Sequence, residues 1–209
     1  MQLMDDRATS PWQRLTRRTI YENPWITVWH DDVIGPDGEP GIYGVVHYAN
    51  QAVGVVAIDA DNRVVLVGQY RYTLDCYSWE IPEGGSPLAE DPLDGARREL
   101  REETGYEATD WQELGRLQLS NSISDEVAVL YLATGLIAGE ATPDGTEDLR
   151  LRHVPFDDVV AMIRDGAIRD AMTVAAIHWV ALARQGLGSV PATATILAPR
   201  ELAGGGVDD

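Results

Sequence analysis

Residues 84–106 read GGSPLAEDPLDGARRELREETGY, and this stretch carries the strongest sequence signal of the chain. Gly84 is followed after five residues by Glu90, and after seven more by the run RELREETGY at 98–106. The pattern fixes seven residue types and two apolar positions. At about 7% per residue type, a chance match anywhere in the chain has a probability on the order of 10⁻⁷. The signal is therefore specific.

The same stretch has the local signals of a helix. Leu93, Ala96 and Leu100 recur at helical spacing, which predicts one buried stripe over residues 92–104. Pro92 suits the first helical turn, and Gly105 suits the left-handed residue that ends a helix. The sequence therefore predicts a helix with both ends marked.

Three carboxylates share one face of this predicted helix. At roughly 100° per residue, Glu99, Glu102 and Glu103 fall within about a third of the circumference. Like charges at such spacings cost roughly 0.2–0.5 kcal/mol per pair, and clustered carboxylate oxygens suit Mg²⁺ or Mn²⁺. The alternative is a solvated acidic face balanced by arginines of the same helix, Arg97, Arg98 and Arg101.

Composition excludes several classes of function. With 209 residues and 44% hydrophobic residues, the chain is sized for one globular core with an appendage. The formal net charge of −18 argues against nucleic acid and anionic membranes as partners. All sixteen basic residues are arginine, so neither a P-loop lysine nor a Schiff-base lysine exists. The single cysteine, Cys76, and the absence of an apolar signal core or membrane-spanning run lead us to expect a cytoplasmic protein.

The order of predicted elements divides the chain into three parts. Strand-like patches at 19–21, 25–29 and 41–48 predict a small antiparallel sheet within residues 12–50. Residues 51–185 hold the main domain, and residues 186–209, rich in Gly, Ala, Pro and Thr, are expected to form a flexible tail. The predicted elements of the main domain, besides the helix at 92–104, are strands at 52–59, 63–71, 111–119, 126–134 and 149–154 and helices at 156–165 and 170–185.

The pattern at 84–106 is the Nudix box, and the chain resembles the Nudix hydrolase superfamily from about residue 12 to residue 185. Flanking stretches point to the branch of ADP-ribose pyrophosphatases and nucleoside diphosphate sugar hydrolases, namely GQYRY, WEIPEGG, TEDLRLRHVP and GAIRDAMTVAAIHWV. The resemblance implies an α+β fold, an α/β/α sandwich with a mixed sheet between helices. It also implies that the N-terminal antiparallel sheet serves a homodimer.

The resemblance implies a hydrolase that depends on two or three Mg²⁺ or Mn²⁺ ions. Its reaction would cleave the diphosphate bond of a nucleoside diphosphate sugar or of ADP-ribose, giving a nucleoside monophosphate and a sugar phosphate. By the same resemblance Glu99 and Glu103 are the main metal ligands, Glu102 is an auxiliary ligand or base, and the Glu83 carbonyl is a backbone ligand. Glu147 is expected to contact metal or to position the attacking water, although it is one of several acidic residues in its loop.

Further roles are expected for five residues outside the metal set. Glu90 and Arg98 resemble the internal pair that holds the loop against the helix. Arg71 is expected to reach the diphosphate, because a guanidinium matches phosphate oxygens in a forked geometry. Trp25 and Trp29 are candidates for stacking on the base, since aromatic faces bind nucleobases of any sequence.

One departure from the family pattern and three alternative functions stand beside the resemblance. Members specific for ADP-ribose tend to carry a proline about fifteen residues beyond the box, where this chain has Ser120-Asn121-Ser122, so we expect a broader substrate range. An isomerase of isopentenyl diphosphate shares the fold but needs a cysteine in a motif that Cys76 lacks. A nucleotide-sugar sensor without turnover is the second alternative; a hydrolase of another nucleoside diphosphate derivative also stays open.

Overall fold

The structure is a computed structural model, and it describes residues 10–142 and 148–187. The chain forms two compact units. The first comprises the described part of Met1–Asn50 together with Gln118–Glu126, and the second comprises Gln51–Leu117 and the described part of Val127–Asp209. Of the predicted tail, only residues 186 and 187 are described.

The first unit is built on the predicted antiparallel sheet. Its strands are β1 (Gln13–Glu22), β2 (Ile26–Ile34) and β3 (Pro40–Tyr48), with β2 in the middle. Only residues 19–21 of strand β1 were predicted. Two register shifts interrupt its pairing with β2, so its side chains do not alternate regularly and the sequence pattern shows only part of the strand. The segment Gln118–Glu126 attaches to β3, where Val46 N donates to the Ile123 carbonyl at 2.8 Å.

The remaining elements among the described residues are seven strands, three α-helices and a short 3₁₀ helix at Tyr72–Leu74. The strands are β4 (Asn50–Ala57), β5 (Arg63–Arg71), β6 (Cys76–Glu80), β7 (Glu83–Pro87), β8 (Tyr106–Gln118), β9 (Val127–Ala138) and β10 (Arg150–Pro155). The helices are α1 (Pro92–Thr104), α2 (Phe156–Arg164) and α3 (Ala171–Arg184). The predicted helices are confirmed to within a residue at each end.

Two sheets organise the second unit. One has the order β7-β4-β9-β8, with β4 parallel to β9, and the other has the order β10-β5-β6 with antiparallel pairing. Strand β7 was not predicted, because its sequence EGGSP has little β-propensity, and it forms through pairing with β4.

Strand β4 is buried on both faces, which is why its sequence is almost continuously apolar. On one face Val53 and Val55 share a core with Leu100 of α1, whose complete burial stabilises the fold by about 1.5–3 kcal/mol. On the other face a Cβ at Gly54 would lie 3.0 Å from Met172 Cε of α3. A mixed sheet between helices is the predicted fold class, and it is confirmed. No helix in the described ranges is long and apolar enough to cross a bilayer.

Candidate active site

Helix α1 carries the carboxylates of the box, and both of its ends are capped, the C-terminal end at Gly105 as predicted. The Asp91 side chain accepts a hydrogen bond from Leu93 N at 3.0 Å at the N-terminus. Gly105 ends the helix with a φ of 74°, and its N–H donates to the Arg101 carbonyl. The caps therefore fix where the carboxylates of the last two turns lie.

The backbone at Glu83 and Gly84 faces these carboxylates. The Glu83 N–H donates to Glu103 Oε2 at 3.0 Å. A Cβ at Gly84 would lie 2.3 Å from the carboxyl carbon of Glu99, so a glycine is needed to leave room for that side chain. The structure thus brings Glu83, Glu99 and Glu103 together. Glu102 is more open, with 35% of its side chain exposed compared with 12% for Glu99.

Arg98 supplies positive charge to this acidic face. Its Nη1 lies 2.7 Å from Glu99 Oε1 and 3.3 Å from Glu102 Oε2. Its Nη2 donates to the Gly85 carbonyl at 2.9 Å and lies 3.5 Å from Glu90 Oε2. Arg98 therefore offsets repulsion between the helix carboxylates as well as contacting Glu90, and the holding role of the Glu90 and Arg98 pair stays a prediction.

A second charged group lies at the end of β5, where Arg71 meets two glutamates. Arg71 Nε donates to Glu80 Oε1 and Oε2 at 3.0 and 2.9 Å, and Nη2 also contacts Glu80. The same Nη2 donates to Glu83 Oε1 at 2.8 Å. Glu80 is only 3% exposed, whereas 34% of the Arg71 side chain is exposed, so the carboxylate of this ion pair lies out of water while the guanidinium stays accessible.

The other oxygen of Glu83 is the exception among the buried side-chain polar atoms of the described residues. Glu83 Oε2 is buried and has no hydrogen-bond partner in the described part of the chain. Leaving such an acceptor unsatisfied costs about 1–3 kcal/mol. Burial, together with the nearby carboxylates of Asp170 and Glu80, raises the pKa of Glu83 well above its usual value.

Asp170 connects this group to helix α3. It caps the helix by accepting a hydrogen bond from Thr173 N at 2.6 Å. The Thr173 hydroxyl in turn accepts a hydrogen bond from Ile81 N at 3.0 Å in the buried core. The start of α3 is therefore tied to the loop that carries the carboxylates.

The donor set fits a hard divalent cation. Glu80, Glu83 and Asp170 each offer an oxygen, and the three oxygens lie within 4.8 Å of one another. Carboxylate oxygens are the ligands that Mg²⁺ and Mn²⁺ prefer, and a buried acceptor without a donor is an atom that a cation would satisfy. With Glu99 and Glu103 facing the same loop, the residues suit the metal that the sequence implied.

Trp25, Trp29 and Glu147 are the three predicted site residues whose roles the structure does not test. Trp25 and Trp29 belong to the first unit, and Trp25 is 68% exposed. The Trp29 ring is already in contact with neighbours, since Arg17 Cζ lies 3.9 Å from its centroid and His47 stacks on it at 4.6 Å. Glu147 lies outside the described residues. Base stacking by the tryptophans and the role of Glu147 stay predictions.

Sequence reasoning missed Glu80 and Asp170. Glu80 stands in the stretch WEIPEGG, but nothing in its spacing says that it holds Arg71. Asp170 precedes an apolar helical run, which is an N-cap signal, yet its approach to Glu83 depends on the tertiary fold.

Two family models match the chain in adjacent ranges. The NUDIX domain matches residues 49–176, and the nucleoside diphosphate sugar hydrolase N-terminal domain matches residues 12–46. The chain belongs to the Nudix family. This Nudix chain is 37% identical to a methanol dehydrogenase activator of Bacillus methanolicus over 165 residues, covering 78% of this chain and 89% of the relative.

Further similarities agree with the family. The chain is 30% identical to an ADP-ribose pyrophosphatase of Mycobacterium tuberculosis over 173 residues, covering 81% of this Nudix chain and 83% of the relative. A crystal structure of an ADP compounds hydrolase superposes with a TM-score of 0.77 at 23% identity, over 88% of this chain and 100% of that one. This superposition shows the shared fold.

Proposed function

We propose that this Nudix chain hydrolyses the diphosphate bond of nucleoside diphosphate sugars and of ADP-ribose, releasing a nucleoside monophosphate and a sugar phosphate. The observation that carries the proposal is the approach of Arg71, Glu99 and Glu103 to the two residues Glu83 and Gly84. Hydrolysis of a phosphoanhydride needs charge neutralisation and an oriented water, and this group offers the residues for both.

Glu99 and Glu103 would hold two or three Mg²⁺ or Mn²⁺ ions, with the Glu83 carbonyl and Glu102 as further ligands. When bound, such ions neutralise phosphate charge and lower the pKa of water. Arg71 binds a phosphate of the diphosphate through its guanidinium. The Arg71 side chain is 34% exposed, so a ligand can reach it. In this proposal the two phosphates are held between the guanidinium of Arg71 and the metal ions on Glu99 and Glu103.

Glu102 and Glu147 are the two residues proposed to act on the attacking water. Glu102 keeps 35% of its side chain exposed, so a water can reach its carboxylate. A carboxylate in that position orients the water and accepts its proton. Glu147 is assigned the same task on its sequence position alone.

The names of the relatives support a broad substrate range. Besides the ADP-ribose pyrophosphatase, a GDP-mannose pyrophosphatase of Yersinia enterocolitica is 30% identical over 129 residues, covering 57% of this chain and 66% of the relative. Those two substrates differ in base and in sugar but share the diphosphate. The absence of a proline at 120–122 also favours acceptance of ADP-ribose together with other nucleotide sugars.

A kinetic panel tests this proposal. ADP-ribose, GDP-mannose, UDP-glucose, dinucleotides and nucleoside triphosphates are compared at equal Mg²⁺, and the products are identified chromatographically. We expect a nucleoside monophosphate and a sugar phosphate, and no turnover with EDTA. Far higher specificity constants for triphosphates would overturn the substrate assignment. Binding without turnover would favour a sensor.

We also propose a cytoplasmic homodimer that pairs through the N-terminal sheet. Strand β1 is an edge strand, and large apolar side chains of the first unit are exposed, Ile20 by 60%, Tyr21 by 55% and Ile42 by 70%. Exposed edges and apolar rings of this size favour association with a second copy. The single cysteine, Cys76, is compatible with a reducing compartment.

The dimer has a direct test. Light scattering after size exclusion at micromolar concentration is expected to give twice the mass of the chain, and Ile20→Glu is expected to give the monomer mass. Ile123→Glu, which charges an apolar side chain that is 51% exposed on the segment Gln118–Glu126, is the comparison variant. A monomer mass for the wild type would refute the dimer.

A further inference from the structure

The guanidinium of Arg71 has only part of its hydrogen-bonding capacity left for a ligand. A guanidinium carries five N–H groups on three nitrogens. Nε and Nη2 are used by Glu80 and Glu83, whereas none of the hydrogen bonds from Arg71 to described residues uses Nη1. A phosphate that binds in a fork needs N–H groups on two neighbouring nitrogens, which here are Nη1 and Nη2.

The two glutamates hold Arg71 in different ways. Both carboxylate oxygens of Glu80 accept hydrogen bonds from the edge of the guanidinium formed by Nε and Nη2, and the Glu80 side chain is 4% exposed. Glu83 takes a single N–H of Nη2, on the edge that a phosphate would need, and its second oxygen is buried without a partner among the described residues. Glu80 therefore fixes the guanidinium, while Glu83 occupies a donor that faces away from Glu80.

We propose that Glu83 is an affinity-determining residue that competes with the substrate phosphate for Arg71 Nη2, whereas Glu80 is the positioning residue that holds Arg71 in place. This inference rests on the proposed function, because it takes a diphosphate as the ligand of Arg71. Removing the Glu83 side chain frees the second nitrogen for a forked contact with phosphate, and Glu80 keeps the guanidinium in position meanwhile. The two glutamates, which touch the same arginine, thus act on substrate affinity with opposite signs.

A purely structural role for Glu83 predicts a different result. If Glu83 only held Arg71, its loss would loosen the guanidinium and weaken binding, as is expected for the loss of Glu80. The sign of the change in affinity after substitution of Glu83 therefore separates competition from support. Glu83→Ala leaves the backbone N–H that donates to Glu103, so that contact is kept in the comparison.

The test compares Glu83→Ala, Glu83→Gln and Glu80→Gln in the full chain. KM and kcat for ADP-ribose are measured with Mg²⁺, and Kd for ADP-ribose is measured by calorimetry in EDTA. One hydrogen bond predicts that KM and Kd fall roughly three- to tenfold in Glu83→Ala, with a smaller fall in Glu83→Gln, whose neutral amide is a weaker acceptor. Both constants are expected to rise in Glu80→Gln, because Arg71 loses the partner that holds it in place.

Glu113→Gln is the matched control, because Glu113 also pairs with an arginine, Arg116 at 3.2 Å, but on strand β8. It is expected to leave KM and Kd unchanged. Thermal unfolding verifies that each variant is folded, and Glu83→Gln, which keeps the shape of the side chain, decides the matter if Glu83→Ala does not fold. Equal or weaker binding in the folded Glu83 variants overturns the proposal.

A second probe separates this inference from the proposed function. The inhibition or binding constant of inorganic pyrophosphate is measured in the same variants. If the wild type fails to hydrolyse the nucleotide sugars but pyrophosphate binds more tightly to Glu83→Ala, the competition stands and the proposed function fails. If ADP-ribose is hydrolysed but neither ligand responds to Glu83, the competition fails and the proposed function stands.

Discussion

Strand β5 has an arginine at each end, and each arginine pairs with two carboxylates. The two ends differ in how the oxygens of those carboxylates are hydrogen-bonded. At its C-terminal end Arg71 is paired with Glu80 and Glu83. At its N-terminal end Arg63 is paired with Asp59 at 2.9 Å and with Asp61 at 2.9 Å. The residue types and the stoichiometry are alike, so any difference in function must come from how the remaining polar atoms are satisfied.

At the Arg63 end the central carboxylate is fully used. Asp59 Oδ1 accepts hydrogen bonds from Asp61 N at 3.0 Å and Arg63 N at 2.9 Å, which closes the turn between β4 and β5. Its Oδ2 accepts from Arg63 Nε and lies 3.3 Å from His153 Nδ1. A cavity of about 450 Å³ opens beside this group, but the central carboxylate on its wall is already engaged within the protein.

At the Arg71 end one carboxylate oxygen, Glu83 Oε2, is buried without a partner among the described residues. Native proteins satisfy most buried polar atoms, so an exception marks a place where stability has been given up for another purpose. The contrast teaches that an arginine paired with two carboxylates has a structural role when both oxygens of the central carboxylate accept hydrogen bonds within the protein. It becomes a candidate binding device when one oxygen is left over beside further carboxylates.

The largest effect that this contrast predicts is at Glu103, which belongs to the Arg71 end. Glu103→Gln keeps an oxygen that can accept from the Glu83 N–H, but it removes the charge that would hold metal. Loss of several kcal/mol of charge stabilisation lowers kcat by roughly 10²–10⁴-fold. Steady-state kinetics with ADP-ribose measure the loss, and metal-free unfolding is expected to occur near the wild-type temperature. Turnover close to that of the wild type would remove Glu103 from the metal set.

The arginines themselves give the next largest effect. Lysine keeps the charge but cannot make the forked contacts of a guanidinium. Arg71→Lys is expected to lower kcat/KM roughly 10- to 100-fold, as expected for loss of one or two hydrogen bonds to charged groups. Arg63→Lys is the matched control on the same strand, and its kcat/KM is expected to stay within about twofold of the wild type. Similar losses in both variants would contradict the distinction between the two ends.

How much of the fold and of the candidate site could be predicted depends on how far apart in sequence the interacting residues are. Helix α1, its start at Pro92 and its end at Gly105 were predicted from local spacing, and the structure agrees with each of them. The cap at Asp91 was not predicted. Strands β4 and β5 were also predicted, because the polar residues at 60–62 separate two apolar runs. The hairpin expected across those residues is wrong, since the two strands belong to different sheets and meet only at the isolated antiparallel bridge between Ile58 and Val64. Local patterns were sufficient for these single elements, whose determinants are close in sequence.

The parts that could not be predicted depend on distant partners. Ile81 N and the Thr173 hydroxyl are 92 residues apart in sequence, and no periodicity relates them. Glu80 lies on a strand where a buried charge is unfavourable alone, and only the fold shows that Arg71 compensates it. The neighbours of Trp29 likewise follow from the register of three strands, which the sequence of β2 does not contain.

A smaller effect is expected from the contact that ties α3 to the Arg71 end. Thr173→Val removes the hydroxyl that accepts from Ile81 N and leaves a buried donor unsatisfied. This costs about 1–3 kcal/mol, or a fall of roughly 2–12 °C in the melting temperature. Thr134→Val is the control, because Thr134 lines the cavity at the other end and its hydroxyl bonds to no described residue. Equal melting temperatures for the two variants would show that the tie contributes little.

The smallest effect is expected at the Arg63 end, where Asp59 gives a pH dependence with a definite sign. Burial alone would raise the pKa of Asp59, but hydrogen bonds from Arg63 and His153 outweigh it and hold the pKa below the ordinary value of 3.8. A carboxylate whose pKa is lowered by folding stabilises the protein fully above its unfolded pKa, and that stability is lost as the pH falls through the folded pKa.

Asp59→Asn lacks this contribution, so the melting temperature of the wild type should exceed that of the variant near pH 7. The difference should shrink below about pH 4. If the end is structural, kcat/KM at pH 7 is unchanged in Asp59→Asn. A difference in melting temperature that stays constant down to pH 3, or a loss of turnover like that of Arg71→Lys, would mean that the two ends of β5 are not divided between structure and binding.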